Sequence, residues 1–424
     1  MTLSIFAKNK YGTNLRRTLL MLSTISGLLC TVSAQSNLSL IYPFGVPIQP
    51  NSGMSFTMGG AGSAVSSPEN IMLLNPANLG NIDKTEFSSL LSLDATMLKQ
   101  SGSSSSFYSL MPQQFSFAFP AGSLGTFGFS LDQRSNALTK FRIEPESIPN
   151  DSSELQYRGG IMASGGQKSW QAGWGREFKN LGGIKLGISY EHLYYYADRK
   201  ILRSIIDSSG TIESTDSTNY LYSGDGVRAG VMMPFGKLTV GLSGEYFAAG
   251  TLKKYNALYS PGDTTKIDSS KSSVTLTMPP SITLGLAYGF SQQWLAAADL
   301  TATIWNAYDS HGVLPSSDRS AALSLSAGAQ YSPETNILNP KYLQTMNYRA
   351  GFRYTELPTS GSNEYAVSFG CGLPIGGGRG LCDIGAELGR RTDTQYSGYS
   401  ENYIRFTLGI SGGSKWKKST FSDY

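Results

Sequence analysis

The sequence predicts an all-β protein: a transmembrane antiparallel β-barrel of about fourteen strands with an N-terminal plug. Three observations favour this fold. Apolar residues alternate with small or polar ones from Thr85 almost to the C-terminus, short and long connections alternate, and charged residues fall on the small-residue face. The 48 glycines and a charged fraction of only 15% are unusual for a soluble protein.

The first 34 residues are typical of a secretory signal peptide. An apolar run over 18–32 ends at Val32-Ser33-Ala34, which has the small-residue pattern of a cleavage site. The alternative is an uncleaved anchor, for which the apolar run is short. Four positive residues precede this run, and they account for the whole formal charge of +4. The chain that remains after cleavage would be neutral. No basic surface therefore predicts nucleic-acid binding. The four positive residues are Lys8, Lys10, Arg16 and Arg17.

Period-two alternation is clear from residue 184 onward. Ile184, Leu186 and Ile188 share one face of a strand because side chains point alternately to its two sides, while Lys185 and Gly187 share the other. Similar segments recur along the chain and define the predicted strands. They lie near 85–98, 107–119, 123–134, 166–178, 182–198, 219–233, 237–248, 274–290, 293–306, 317–331, 345–356, 363–373, 380–392 and 401–412.

A soluble β-sandwich also alternates, but it keeps its outward face polar. Here the apolar face carries aromatic residues near strand ends, such as Trp174, Tyr288 and Trp294, which is typical of interfacial girdles around a membrane barrel. The charged residues lie on the opposite face, which suits a wet lumen with paired charges better than a catalytic cluster. They include Asp94, Asp132, Glu191, Arg228, Glu245, Asp299, Arg349, Arg353, Asp383, Glu387 and Arg405.

Bacterial barrels have short periplasmic turns and longer external loops. The connections alternate in this way, which predicts both barrel ends on the periplasmic side. The exception is 332–344, a long link in a periplasmic position that holds a small helix or marks a miscounted strand. The short turns are predicted at 120–124, 179–183, 234–236, 291–292 and 374–379, and the long links at 135–165, 199–218, 249–273, 307–316 and 393–400.

The chain therefore divides into a signal peptide (1–34), an N-terminal segment (35–84), a barrel (85–413) and a periplasmic tail (414–424). The N-terminal segment does not alternate, so it is either a loose terminus or a plug that folds into the lumen. Asn75, Pro76 and Ala77 are candidates for shaping such a plug, although Asn and Pro are also common turn residues.

Gly59-Gly60-Ala61-Gly62, followed by Asn75-Pro76-Ala77 and the first strand, resembles the N-terminal hatch of the outer-membrane long-chain fatty acid transporter family. Met278-Pro279-Pro280 also resembles a strand opening in that family. Residues 401–409 with Lys415-Trp416-Lys417 are similar to a Bacteroidetes-type branch that includes type IX secretion barrels. The resemblance implies a fourteen-stranded, hatch-plugged barrel that passes hydrophobic small molecules such as long-chain fatty acids, with a hatch that moves to open the route.

Two alternatives remain open: a protein partner in a secretion or assembly system, and a purely structural barrel. The partners expected are therefore outer-membrane lipid, a hydrophobic ligand and a secretion-machinery protein, while the oligomeric state stays undetermined. Only two histidines occur, so neither a metal site nor a cofactor is expected. Strand parity turns His192 toward lipid without a nucleophile motif nearby, which argues against an enzyme.

Cys371 and Cys382 flank a glycine-rich turn at 376–380, and parity puts both on the apolar face. A hairpin centred on Gly376 and Gly377 would set them opposite each other, close enough for a disulfide. Buried free cysteines also pack as small apolar residues, so the sequence leaves the bonded and free states open.

Overall fold

The structure, a computed structural model, is a closed antiparallel β-barrel with its N-terminal segment folded inside it. The predicted signal peptide and all but the first two residues of the predicted tail lie outside the part of the chain that is described. The described residues are 42, 44–48, 52–68, 71–100, 103–148, 155–207, 210–259, 266–306, 308–309, 311–315, 317–333, 341–376, 379–394 and 400–415.

The barrel has fourteen strands, as the sequence predicts. Three of them, β3, β7 and β8, are interrupted. Both halves of β3 pair with β4, and both halves of β7 pair with β6. Each half of β8 pairs with one half of β7. In chain order the strands are β1 (Thr85–Gln100), β2 (Ser103–Pro120), β3 (Thr126–Gln133 and Thr139–Ile148), β4 (Leu155–Phe178), β5 (Ile184–Asp207), β6 (Gly210–Phe235), β7 (Leu238–Phe247 and Gly250–Tyr259), β8 (Lys266–Leu276 and Ser281–Gly289), β9 (Trp294–Ile304), β10 (Ala321–Tyr331), β11 (Asn347–Glu356), β12 (Ser362–Ile375), β13 (Gly380–Asp393) and β14 (Ser400–Ser414).

Three of the predicted long loops are wrong. The links at 135–165, 199–218 and 249–273 are largely strand. The third is occupied by the second half of β7 and the first half of β8. The first two are occupied by the second half of β3 and by β4, β5 and β6, of which the last three run for 24, 24 and 26 residues. At about 3.3 Å per residue and a tilt of about 40°, such strands stand about 60 Å tall, well above an apolar band of about 25 Å. Their outer parts leave the lipid, so the apolar alternation stops while the backbone ladder continues.

The remaining connections follow the prediction more closely. The 332–344 link contains a short 3-10 helix, Tyr342–Gln344, and it does not signal a miscounted strand. Both the start of β1 and the end of β14 lie at the barrel end that holds the turns at 121–125 and 236–237, since Thr85 pairs with Ser414.

The outer face of the wall is apolar. Phe127, Phe129 and Leu131 of β3 are exposed, whereas Gly128 and Ser130 between them are buried. Exposed apolar residues of this kind encircle the barrel, a much larger apolar surface than soluble proteins tolerate, so this face contacts lipid and the sandwich alternative is wrong. Among the described residues, no helix is long and apolar enough to cross a membrane.

The hatch, which comprises the described residues between 42 and 84, fills the lumen. Helix α1 (Gly53–Thr57) is capped by Ser52, whose hydroxyl accepts a hydrogen bond from the Ser55 amide at 3.2 Å. A 3-10 helix, Pro76–Asn81, begins at a proline and is capped by Asn75. Most side chains of both helices are buried.

Candidate functional site

The hatch is held to the wall by buried hydrogen bonds to β9. Oδ2 of Asp299 accepts bonds from the backbone amides of Gly62 and Ser63, both at 2.9 Å. Asp299 is only 4% exposed. A third bond, to β12, links the Gly59 amide to the Ser368 hydroxyl at 2.8 Å. Charge-assisted bonds of this type are stronger than neutral ones, so Asp299 is the main electrostatic attachment of the glycine-rich stretch.

Asn75 joins the two halves of the hatch to each other and to the wall. Its Oδ1 accepts from the Ala77 amide at 3.1 Å, and its Nδ2 donates to the carbonyl of Ser63 at 2.9 Å and to that of Val231 on β6 at 3.2 Å. Pro76 and Ala77 continue this contact against β5, where a Cβ on Gly187 would lie 2.2 Å from the Pro76 carbonyl carbon. The structure therefore places all three predicted hatch residues at the hatch–wall contact.

The small-residue face of the strands is where the hatch backbone touches the wall. A Cβ on Gly351 of β11 would lie 2.2 Å from the Gly59 nitrogen, closer than any side-chain carbon can approach. The same restriction recurs around the barrel, which explains why glycines alternate with apolar residues in so many strands. Other wall glycines in such contact with the hatch are Gly128, Gly175, Gly241, Gly285 and Gly328.

Four charged residues form a buried cluster beside the hatch, named here the Arg134 cluster: Arg134, Glu191, Arg228 and Glu245. Arg134 lies 2.5 Å from Glu245 and 3.2 Å from Glu191, and Arg228 lies 2.7 Å from Glu245. Arg228 also donates to the Leu74 carbonyl of the hatch at 3.2 Å. Two arginines face two glutamates, so the cluster has no net charge when all four groups are ionised. Strand parity missed Arg134, because it lies in the break of β3.

A second buried network, the Arg353 network, lies across β1 and β11 to β14. Arg353 contacts Glu364 at 2.8 Å and Glu387 at 2.9 Å, and Arg405 contacts Asp94 at 2.8 Å. Tyr403, Glu364, Arg391 and Glu401 complete it and were not among the predicted residues. Breaking a buried pair leaves an uncompensated charge, so the network fixes the relative positions of these strands.

The remaining predicted lumen residues lie apart from these clusters. Arg349 contacts Asp383 at 2.5 Å, and Asp132 accepts from Ser130 at 2.5 Å and from Gln171 at 3.4 Å. No group of side chains suited to a metal ion occurs among the described residues.

A pocket, named here the lumenal pocket, lies above the hatch, has a volume of about 240 Å³ and is lined by both apolar and polar side chains. Leu193, Phe247 and Met278 of the wall meet Phe44 and Leu74 of the hatch around it. They continue into a buried apolar cluster of the extended strands, where Phe44 packs edge-on against Tyr195 at 5.3 Å. Burial raises the pKa of the Tyr308 phenol in the adjacent loop.

The barrel wall is incomplete beside this pocket. The β2–β3 ladder ends at Gln114 and Asp132, and in the described residues beyond it β2 pairs only with β1, while the second half of β3 pairs only with β4. A groove of about 460 Å³ lies outside this lateral gap, lined by Gln133, Asn136 and Tyr194. Arg134 and Ser135, in the same break, line the lumenal pocket instead. One strand's thickness therefore separates pocket from groove.

Cys371 and Cys382 both lie on the outer side of their hairpin, but the predicted opposition is wrong. The register pairs Cys371 with Ile384 and Cys382 with Leu373, so the two cysteines are diagonal neighbours and both are free. The register centres the turn one residue later than the predicted centre at Gly376 and Gly377. The partner of Cys371 is therefore Ile384, two residues beyond Cys382.

A closed fourteen-stranded barrel with an apolar outer belt and a buried hatch defines a plugged β-barrel of the bacterial outer membrane. The BamG family model matches residues 16–421, so the chain belongs to the BamG family. No curated protein sequence matches it.

Solved structures with the same fold include the toluene transporter TodX of Pseudomonas putida, with 17% identity and a TM-score of 0.61 over 88% of this chain and 100% of that one. A Pseudomonas aeruginosa FadL homologue has 14% identity and a TM-score of 0.60 over 87% and 99%. The Ralstonia pickettii toluene transporter TbuX has 16% identity and a TM-score of 0.56, over 86% of this chain and 98% of that one. The fold implied by the fatty acid transporter resemblance is thus confirmed.

Proposed function

We propose that the protein passes hydrophobic small molecules across the outer membrane, by way of the lumenal pocket and the lateral gap. The observation that carries this is the position of the lumenal pocket, in part lined by apolar side chains, directly inside a break in the wall. A solute in the pocket is separated from the groove, and from lipid, by the broken part of β3 and by the hatch residues Val46 and Pro47 that pair with Asn136 and Ser135 there.

The pocket suits a compact, uncharged ligand. Its volume of about 240 Å³ exceeds the roughly 150 Å³ of a cavity that takes benzene. Arg134 and Arg228 line the pocket, but both are already paired with glutamates, so a ligand carboxylate would have to displace one. A neutral apolar molecule needs no such exchange. A long-chain fatty acid would extend beyond the pocket and keep its carboxylate near solvent.

The hatch and the gap offer different exits. Movement of the hatch would require the loss of the Asp299 bonds and of the close packing against wall glycines. Exit through the gap needs neither change. The lateral route therefore requires less free energy than movement of the hatch. In this route the hatch stays in place and closes the periplasmic side of the pocket.

The test compares uptake of labelled toluene and of a labelled long-chain fatty acid in cells with and without the gene. Restoring the native gene should restore uptake, whereas Phe247→Ser, which makes the pocket wall polar, should not. The matched control is Tyr246→Ser, since Tyr246 is the neighbouring aromatic residue on the outer face and is 59% exposed. Normal uptake of both compounds without the gene would contradict the proposal.

A second candidate function is an outer-membrane component of a protein secretion or assembly system. The tall wall of β4, β5 and β6 favours it, because a sheet that stands far outside the membrane offers area for a protein partner. This function would show itself as normal uptake together with surface proteins that accumulate in the periplasm when the gene is absent.

A further inference from the structure

On the outer face of the wall, three polar side chains of β5 and β6 form a connected chain. Nδ1 of His192 lies 2.5 Å from a carboxylate oxygen of Asp225, and Nε2 of His192 lies 3.2 Å from the hydroxyl of Ser223. When Nδ1 carries the proton, it donates to Asp225 and leaves Nε2 free to accept from Ser223. We propose that Ser223, His192 and Asp225 are a hydrolytic triad that acts on ester bonds of lipids.

The register creates this arrangement. His192 is directly opposite Asp225 in the β5–β6 ladder, and Ser223 is two residues from Asp225 on the same face. Alternation alone places no nucleophile beside His192, because Ser223 lies 31 residues further along the chain. Triads are defined by geometry and roles, and they recur on unrelated folds with the residues in different chain orders.

The imidazole of His192 is held in one orientation. Trp170 of β4 stacks on it, with ring centroids 5.9 Å apart, and Tyr194 packs edge-on at 4.3 Å. Tyr190 donates a further hydrogen bond to Asp225. A base and its orienting carboxylate that are fixed by packing meet the requirement for a preorganised site.

The triad lies in the outer part of the apolar belt. Below it, Ile188 and Val227 are apolar and about half exposed. Above it lie the exposed Tyr196 and Leu221, and beyond these the polar pair Asp198 and Asn219. Ester carbonyls of acyl lipids lie between chains and headgroups, close to this part of the belt. The side chain of Asp225 is 59% exposed, so an approaching lipid meets the site directly.

The reaction is balanced with water as the second reactant. The Ser223 oxygen bonds to the ester carbonyl carbon and its proton passes to Nε2 of His192; the ester C–O bond then breaks, and that proton passes to the leaving alcohol. Water cleaves the acyl-serine by the same route and releases a carboxylic acid. Thr251 lies opposite Ser223 on β7 and is exposed on the same face, so its hydroxyl is placed to donate to the developing oxyanion.

The experiment uses the full-length protein in detergent micelles, with p-nitrophenyl octanoate as substrate and a fluorophosphonate as serine probe. The probe should label Ser223, and Ser223→Ala should lower hydrolysis at least about 100-fold. Ser106→Ala, which removes another exposed serine of the outer face, should change neither result. Folding of each variant is checked by its heat-modifiable mobility in gels.

Asp225→Asn separates catalysis from structure. It keeps a polar partner for His192 but favours the wrong tautomer, so hydrolysis should fall while the melting temperature stays the same. Hydrolysis and labelling of the folded native protein that do not exceed those of Ser223→Ala would overturn the proposal. Because the triad and the lumenal pocket lie on opposite faces of the wall, that result would leave the transport proposal intact.

Discussion

A Cβ atom on Gly230 of β6 would lie 2.0 Å from Oδ1 of Asn75, so the amide of the hatch residue occupies the space that a wall side chain would need. The two residues are far apart in the chain. The position of the Asn75 side chain requires a residue without a Cβ at 230. Asn75 caps the 3-10 helix while it bonds the wall, and Gly230 admits it.

Gly230→Val should therefore displace the 3-10 helix of the hatch. Overpacking of a well-filled core costs about 1–3 kcal/mol, and we expect a loss of stability in this range together with higher single-channel conductance in planar bilayers. Gly244→Ala is the matched control, since a Cβ there meets nothing closer than 3.7 Å. Equal conductance of the two folded variants would contradict the fit between hatch and wall.

Asp299→Ala should loosen the glycine-rich part of the hatch. It leaves the buried amides of Gly62 and Ser63 without their carboxylate partner, at about 1–3 kcal/mol for each unsatisfied group. The conductance should rise toward that of a chain lacking residues 35–84. Asp309→Asn, in an exposed loop, should behave like the native protein. If removal of 35–84 itself leaves the conductance of a folded barrel unchanged, the hatch does not close the lumen.

Cys371 and Cys382 should both react with an alkylating reagent in the absence of reductant. The register places each opposite an aliphatic residue instead of the other cysteine, so two added alkyl groups are expected in the intact mass. Cys371→Ser and Cys382→Ser should each reduce the number to one. A native protein that takes up no alkyl group until it is reduced would show a disulfide and a different register.

The tall strands should be accessible from outside the cell. In a background without Cys371 and Cys382, Lys200→Cys should label on intact cells with a membrane-impermeant maleimide, because Lys200 lies on β5 above the apolar belt. Lys237→Cys, in the short turn between β6 and β7, should label only after the outer membrane is permeabilised. The reverse pattern would invert the orientation of the barrel.

Much of this fold can be predicted from the local alternation of apolar and polar residues. Alternation through segments such as 184–190 predicts the strands, and counting them predicts the barrel, because every membrane-embedded strand must turn one face to lipid. The pattern failed beyond the membrane. Residues 199–207 and 210–218 carry polar and apolar side chains on both faces, so nothing in their periodicity distinguishes strands from a loop. Only their pairing with each other and with neighbouring strands makes them strands.

The sequence by itself determined the class of protein: a membrane barrel whose strands are apolar on one face and small or charged on the other. It also marked Asn75, Pro76 and Ala77 as a distinct element and Asp299 as a residue of the inner face. Only the tertiary structure decided that Asp299 bonds Gly62, 237 residues away, that Arg134 joins a neutral cluster, and that Ser223 meets His192. The physical reason is that parity assigns a side chain to a face, whereas contact depends on register, and register is set by ladders that close around the whole barrel.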